Sequence, residues 1–223
     1  PSDHIVMRLD YPDNIPYHNL PAWQEKNKQL NENLAYIIGH FLSDGHMERM
    51  RSNNSSHKGV FNFFSSALGV LEHIQDILKE EFDYESTILC RSSNQDEFIP
   101  GQPVMYQIKI SNNELNDYLA DAFGIDGSWR ANTKRIPELF YRSPKSVIGA
   151  LLSGLIDGDG SIHKSRNHVN YSTISENLAN DVQLLMQQLG VVGKRYTQDK
   201  TQDTRLVRGY VLKRNEPQIS IEV

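Results

Sequence analysis

The 223-residue chain has one cysteine, Cys90, so no disulfide can close within it, and a lone thiol fits a reducing compartment. Nowhere does it string together the roughly 20 apolar residues that a membrane-spanning helix needs. The opening Pro1-Ser2-Asp3-His4 lacks the basic stretch and apolar core of a secretory signal. The expectation is an intracellular protein with no membrane partner. An excess of positive charge is missing too: the net charge is −5, which on its face argues against a nucleic-acid partner.

The distribution of that charge points the other way. From Glu72 to Glu97 there are eight acids against Lys79 and Arg91, whereas Arg130 to Lys145 carries five basic residues against Glu138 alone. Gly190 to Arg214 carries seven basic residues against Asp199 and Asp203. A chain polarised in this way can be acidic overall and still turn a basic face to phosphates, although solvated helix and strand surface would look the same.

The chain also repeats itself. Leu34-Ala35-Tyr36-Ile37-Ile38-Gly39-His40-Phe41-Leu42-Ser43-Asp44-Gly45 and Leu151-Leu152-Ser153-Gly154-Leu155-Ile156-Asp157-Gly158-Asp159-Gly160 are both apolar, each with a glycine five residues before a closing Asp-Gly. The first is followed by a strand pattern at Phe61–Ser65, an amphipathic helix at Leu68–Glu81, and strands at Thr87–Cys90 and Val104–Ile110. The second is followed by a strand at Val169–Ile174, a helix at Leu178–Leu189 stopped by Gly190, and strands at Gly193–Thr197, Leu206–Leu212 and Gln218–Val223. The unit of helix, strands, helix, strands is therefore used twice. Only the first copy adds a helix, Glu114–Phe123, and a basic connector to Lys145. Residues 1–33 read as an extended lead-in, 34–147 as a first half and 148–223 as a second half, shortened relative to the first.

Leu152-Ser153-Gly154-Leu155-Ile156-Asp157-Gly158-Asp159-Gly160 resembles the LAGLIDADG motif at seven of nine positions, and Ile37–Gly45 resembles it more loosely. Lys134-Arg135-Ile136-Pro137-Glu138 is similar to the block that precedes the second motif in intein-encoded endonucleases. Leu184-Leu185-Met186-Gln187-Gln188-Leu189-Gly190-Val191 is similar to a later block of theirs. Residues 34 to 195 are covered in order. The chain is thereby identified as resembling a LAGLIDADG (DOD-type) homing endonuclease of the intein-encoded kind. The resemblance implies an α+β fold of two pseudo-symmetric αββαββ-type halves, whose curved antiparallel sheets form a DNA-binding saddle. It implies a monomer acting as a pseudo-dimer, and Mg²⁺-dependent hydrolysis of double-stranded DNA at a specific site. It also makes Lys134 catalytic, matching the lysine of that block.

The physical reading of the motif agrees with this. Gly39 and Gly154 let two apolar helices approach backbone to backbone, which brings Asp44 and Asp159 together. Paired carboxylates repel unless a cation lies between them, and hard oxygen ligands favour Mg²⁺. The glycines that follow allow a sharp exit from each helix. An EF-hand start at Asp157 fails, because its sixth loop position is Ile162 and its twelfth is His168. Arg195, Arg205, Arg208 and Lys213, on or near second-half strands, are the expected DNA contacts. Three features depart from the pattern: His40 sets a polar ring on an apolar helix, no second-half counterpart of Lys134 stands out beyond Lys194 or Lys213, and neither terminus has the residues of a self-splicing intein. A non-cleaving DNA-binding regulator or degenerate domain is the competing expectation; retention of both Asp44 and Asp159 argues against it.

Overall fold

A computed structural model describes residues 11–48, 57–91, 104–163, 168–199, 204–207, 210–213 and 216–223. No helix among these residues is long and apolar enough to cross a membrane. The centre is a pair of helices, α1 (Glu32–Asp44) and α4 (Lys145–Asp159), packed along each other. Asn31 starts α1 by accepting the Leu34 N–H at 2.9 Å. From Leu34 to Ser43 every residue of α1 is buried, as expected of a helix that is apolar on nearly all sides.

A methyl carbon added to Gly39 would run into the carbonyl oxygen of Leu151, and one added to Gly154 into that of Tyr36. An offset of 115 residues (159 less 44) maps Gly39 onto Gly154 and Tyr36 onto Leu151, so the two clashes are one clash seen from both sides. The helix crossing is thus a pseudo-twofold axis at which backbone touches backbone.

Each helix of the pair feeds a four-stranded antiparallel sheet. In the first half β3 (His46–Glu48), β4 (Val60–Ser65), β5 (Ile88–Cys90) and β6 (Tyr106–Lys109) lie in the order β3-β4-β6-β5. In the second, β7 (Gly160–His163), β8 (His168–Thr173), β9 (Lys194–Gln198) and β12 (Gln218–Glu222) lie in the order β7-β8-β12-β9, which is the same arrangement. Helix α2 (Leu68–Phe82) packs on β4 and β6, and α5 (Glu176–Gln188) packs on β8 and β12. The first half adds α3 (Asn113–Phe123), ended by the left-handed Gly124.

Three sequence expectations are corrected. The lead-in is not merely extended: β1 (Asn19–Trp23) and β2 (Lys26–Gln29) form a hairpin that buries Trp23 edge-on to Phe82 and Tyr118. The single strand expected at Leu206–Leu212 is a pair, β10 (Thr204–Val207) and β11 (Tyr210–Lys213), joined antiparallel from Thr204↔Lys213 to Val207↔Tyr210. Alternating residues give no warning of a reversal, and Gly209 was its one sequence mark. Gly45 and Gly160, finally, are extended (φ −84° and −92°) and do not use left-handed freedom. They are required because a side-chain carbon there would collide with the preceding turn, at Phe41 and Ile156 respectively.

Candidate active site

Asp44 and Asp159 are the last residues of α1 and α4, so the close crossing delivers both carboxylates to one end of the helix pair. The ends themselves are in contact. A side-chain carbon on Gly158 would collide with the Ser43 hydroxyl and would sit 3.3 Å from the Asp44 backbone nitrogen. Only glycine at 158 allows the two helices to stay this close down to their last turn.

Lys134, in the connector before α4, reaches this end from the side. It is buried, and its ammonium donates to the carbonyl oxygens of Phe41 (3.1 Å), Ser43 (2.9 Å) and Gly45 (2.9 Å). Those of Ser43 and Gly45 belong to the set of acceptors that a helix leaves unsatisfied at its C-terminus, that of Phe41 also accepts the Gly45 N–H at 3.1 Å, and the positive charge suits that end of the dipole. Its own carbonyl accepts the Ser175 hydroxyl at 2.6 Å, and Ser175 is the N-cap of α5. Nearby, Ile136 N–H donates to Asp181 of α5 at 2.9 Å. Lys134 therefore ties the first half's motif helix to the second half's covering helix.

The electrostatics follow from crowding charge into a partly dry place. Burial pushes Asp159 up to about 6, and the neighbouring Asp44 pushes the same way, while Lys134 pulls it back. Asp44 is raised by burial and held back by Lys134. Burial brings Lys134 down to about 8 against the pull of Asp159 and Asp44. Three groups thus share one field, each shifted toward its neutral form by desolvation.

A cleft of about 460 Å³ opens beside these groups, lined by Ser43, Lys134, Asp159, Ser172, Thr173 and Gln218 among others. It continues onto the helix-free face of the second sheet, where Asn170, Ser172, Tyr196, Gln198, Gln218 and Glu222 line a further hollow of about 330 Å³. A larger hollow, about 730 Å³, lies between the β1–β2 hairpin and the start of α1. Its acids are already engaged, Glu81 by Lys28 and Asn31 and Glu32 by the Tyr17 hydroxyl, so size there does not mark the chemistry.

Register decides which expected DNA contacts reach the helix-free faces. Lys194 lies opposite Glu222, and Tyr196 opposite Ser220, which puts them on the polar face with Ser172 and Asn170. Arg195 alternates to the other face, where it pairs with Glu176 and donates to Asn180 of α5 at 2.6 Å. As a DNA contact Arg195 is corrected by the strand's period of two. Arg205 and Lys213 sit on β10 and β11, opposite Leu212 and Thr204. Arg208 lies outside the described residues.

Sequence reasoning missed the polar row of the first sheet. There Lys109 pairs with Glu48 at 2.8 Å, the Gln107 amide donates to Asn62 at 2.6 Å, and Arg91 donates to Gln107. Asn62, set between Phe61 and Phe63, was its available signal. Fully buried His40 lies at the helix pair, and neither ring nitrogen has a hydrogen-bond partner among the described residues. Burial, helped by the charge of Lys134, brings it down to about 4 and keeps it neutral.

Among the described residues no three His, Cys, Asp or Glu side chains cluster as a metal cage. The two aspartates are what the chain itself offers a cation at this end. The upward push on Asp159, from burial first and from Asp44 second, is one that a positive ion at this place would relieve. Oxygen-only donors, few in number, suit an ion that keeps water and takes further oxygens from a phosphate.

Residues 146–219 match the LAGLIDADG-like domain family. The chain is 25% identical over 201 residues to the DNA gyrase A protein of Mycobacterium gordonae, covering 88% of this chain and 32% of that one. It is 29% identical over 163 residues to a DNA polymerase of Thermococcus hydrothermalis, covering 73% of this chain and 8% of that one. It thus spans a third or less of the length of these relatives. Among solved structures, the homing endonuclease I-DmoI in complex with DNA and Mn superposes with a TM-score of 0.56 at 15% identity, over 86% of this chain and 89% of that one. Mesophilic variants of I-DmoI superpose equally well, with a TM-score of 0.56 at 14% identity, over 86% and 88%. The α+β architecture of two like halves is the fold of these endonucleases.

Proposed function

We propose that the chain is a site-specific endonuclease for double-stranded DNA, working as one polypeptide of two like halves, with a divalent cation held between Asp44 and Asp159. The observation that carries this reading is the meeting of two desolvated aspartates at the end of a glycine-tight helix pair, opening onto a polar, helix-free sheet face. A pure binding surface gains nothing from carboxylates turned toward phosphate. An enzyme gains a place to collect metal and water at the scissile bond.

Asp44 and Asp159 would hold the cation, and Mg²⁺ is the ion that best suits two carboxylates with the remaining positions left to water and phosphate. Such an ion supplies Lewis acidity and a lowered water pKa. The chain's own residues do the rest. Lys134 keeps the C-terminal carbonyls of α1 in place and so fixes Asp44, while its charge also lies near both carboxylates. The helix-free sheet faces offer Asn, Gln, Ser, Tyr and Lys side chains for base edges and phosphates.

The intein-encoded kind is part of the proposal. Segments similar to this chain occur within a gyrase protein, as 32% of it, and within a DNA polymerase, as 8% of it. A module shared by two proteins of different function, and spanning only part of each, behaves as an insert. The test is incubation with a randomised duplex library and Mg²⁺, followed by sequencing of cut ends. Recurrent breaks at one sequence, lost in Asp44→Asn and in Asp159→Asn, support the reading. Specific binding without breaks would leave a non-cleaving DNA-binding protein.

A further inference from the structure

On its helix-free face the first sheet carries a chain of side-chain hydrogen bonds across three strands, and chemistry sets its direction. Asn62 of β4 gives its amide hydrogens to the backbone carbonyls of Val60, at 2.9 Å, and of His46. Carbonyls only accept, so the Asn62 side-chain oxygen is turned the other way, where it takes the Gln107 amide of β6 at 2.6 Å. The Gln107 oxygen in turn takes the Nε–H of Arg91, just past β5. Asn62 is 3% exposed and Gln107 5%, whereas Arg91 is exposed. A relay with a dry stem thus ends at the surface in a guanidinium, which has donors and no acceptor.

The second sheet has the same positions without that relay. Asn62 lies opposite His46, two residues after Asp44, and Asn170 lies opposite Ser161, two residues after Asp159. The shared strand order then makes Ser220 the counterpart of Gln107, through their partners Ser172 and Phe64. Leu89 lies opposite Gln107 and Tyr196 opposite Ser220, and two residues further on come Arg91 and Gln198. Ser220 shares a hydrogen bond with Ser172 at 3.0 Å, and the Asn170 side-chain oxygen has no partner among the described residues. Gln198, where Arg91 would stand, offers a donor and an acceptor together.

We propose that Arg91 reads one guanine of the target through the major groove, with Gln107 and Asn62 as its positioning residues; this rests on the reading of the chain as a site-specific endonuclease. With Nε held by Gln107, the edge of the fork that carries the two terminal nitrogens is the edge left to bind. That edge is a pair of parallel donors. In the major groove guanine alone shows two acceptors side by side, O6 and N7; adenine shows an acceptor beside a donor, cytosine a donor, and thymine one acceptor. A backbone phosphate also accepts, but a charge on a flexible stem serves it from many directions. A side chain locked across three strands suits a contact with one orientation. Because Gln198 stands at the matching place, the requirement for guanine falls on one half of the target.

The test presents a randomised duplex library, with Mg²⁺, to the parent, Arg91→Ala, Arg91→Lys, Gln107→Met and Gln198→Ala. Bound duplexes and cut ends are both sequenced. The expected result is one position at which the parent prefers G·C by about ten- to a hundredfold. That preference collapses in both Arg91 variants and in Gln107→Met and stays in Gln198→Ala, while the other positions keep theirs. A merely structural role for Gln107 would lower melting temperature and all binding alike and leave the preference in place, which overturns its positioning role. Arg91→Lys keeps the charge and loses the fork, so it decides the matter even where Gln107→Met fails to fold. Weaker binding of Arg91→Ala to every duplex, with the preference intact, makes Arg91 a phosphate contact and overturns the proposal. Selective binding by the parent without cut ends removes the endonuclease reading and still tests Arg91; a parent that selects no duplex overturns both.

Discussion

Replacing Lys134 by methionine keeps the volume and removes the charge, so it isolates what the ammonium does. In the parent it satisfies the carbonyls of Phe41, Ser43 and Gly45. Phe41 retains the Gly45 N–H at 3.1 Å after the change, but the other two lose the lysine. Stranding two buried carbonyls costs on the order of 1–3 kcal/mol each. Relief from burying a charge whose pKa has fallen to about 8 offsets part of that. The expected net loss is about 2–3 kcal/mol, or a melting temperature lower by roughly 5–10 °C. The pH dependence gives an independent signature. The unfolded chain holds this proton up to about 10.5, whereas the folded one releases it from about 8. Between those values the unfolded state binds more protons, so this group makes the parent's stability rise with pH, and Lys134→Met loses that rise. Single-turnover cleavage should fall by about two orders of magnitude, with DNA affinity little changed. Lys134→Arg should restore only part of the stability, because a planar fork does not fit three carbonyls gathered around one point. Should Lys134→Met melt as the parent does, with the same slope above pH 8, the carbonyl anchor would be refuted. A large loss of affinity at an unchanged rate would make Lys134 a plain phosphate contact.

Asp159→Asn should abolish cleavage, keep or improve DNA affinity, and raise the melting temperature at neutral pH. The folded carboxyl holds its proton up to about 6 and the unfolded one only to 3.8, so its ionisation removes stability as pH rises through that window; a melting curve that matches the parent's from pH 4 to 8 would count against this. Cleavage at low Mg²⁺ should decline as pH falls through about 6 and recover with added Mg²⁺, which competes with the proton, and pH–rate profiles at two metal concentrations test this. Gly154→Ala drives a methyl group into the Tyr36 carbonyl oxygen and should cost about 2–3 kcal/mol, read by denaturant unfolding. Arg195→Ala, which breaks a half-exposed ion pair with Glu176, should change stability by less than about 1 kcal/mol and leave DNA affinity unchanged, since the side chain lies under the sheet.

What the sequence revealed and what it hid divide along the range of the interactions. The motif helices, their glycines and the two aspartates were legible because backbone contact admits only glycine, and a helix repeats its demands every few residues. The doubled unit was legible because each half needs the same order of apolar faces. Arg195 was misplaced because composition shows a basic strand, while its register relative to Ser220 and Glu222 decides the face. The first-sheet row of Arg91, Gln107 and Asn62 was missed because its three members come from separate stretches of chain, brought together only by pairing. Lys134 was singled out from resemblance, yet its three carbonyl partners could not be read from the chain, since they lie far back along it on another element.

The twin positions of the helix pair show how much of this architecture answers to chemistry and how much to packing. The 115-residue offset carries His40 onto Leu155, and both are buried. Leucine at the twin shows that the crossing itself has no need of an imidazole. Two ring nitrogens without a partner among the described residues, in a dry interface, weaken the fold. The same region holds two carboxylates shifted toward their neutral forms and a buried ammonium. Burial of ten consecutive α1 residues, with α4, α2 and β4 packed against the helix, is what tolerates this concentration of unfavourable terms. Stability is drawn from the length of the helices and expended at their ends. The place where the fold is weakest by its own energetics is therefore the place where a cation and a phosphate would stabilise it most.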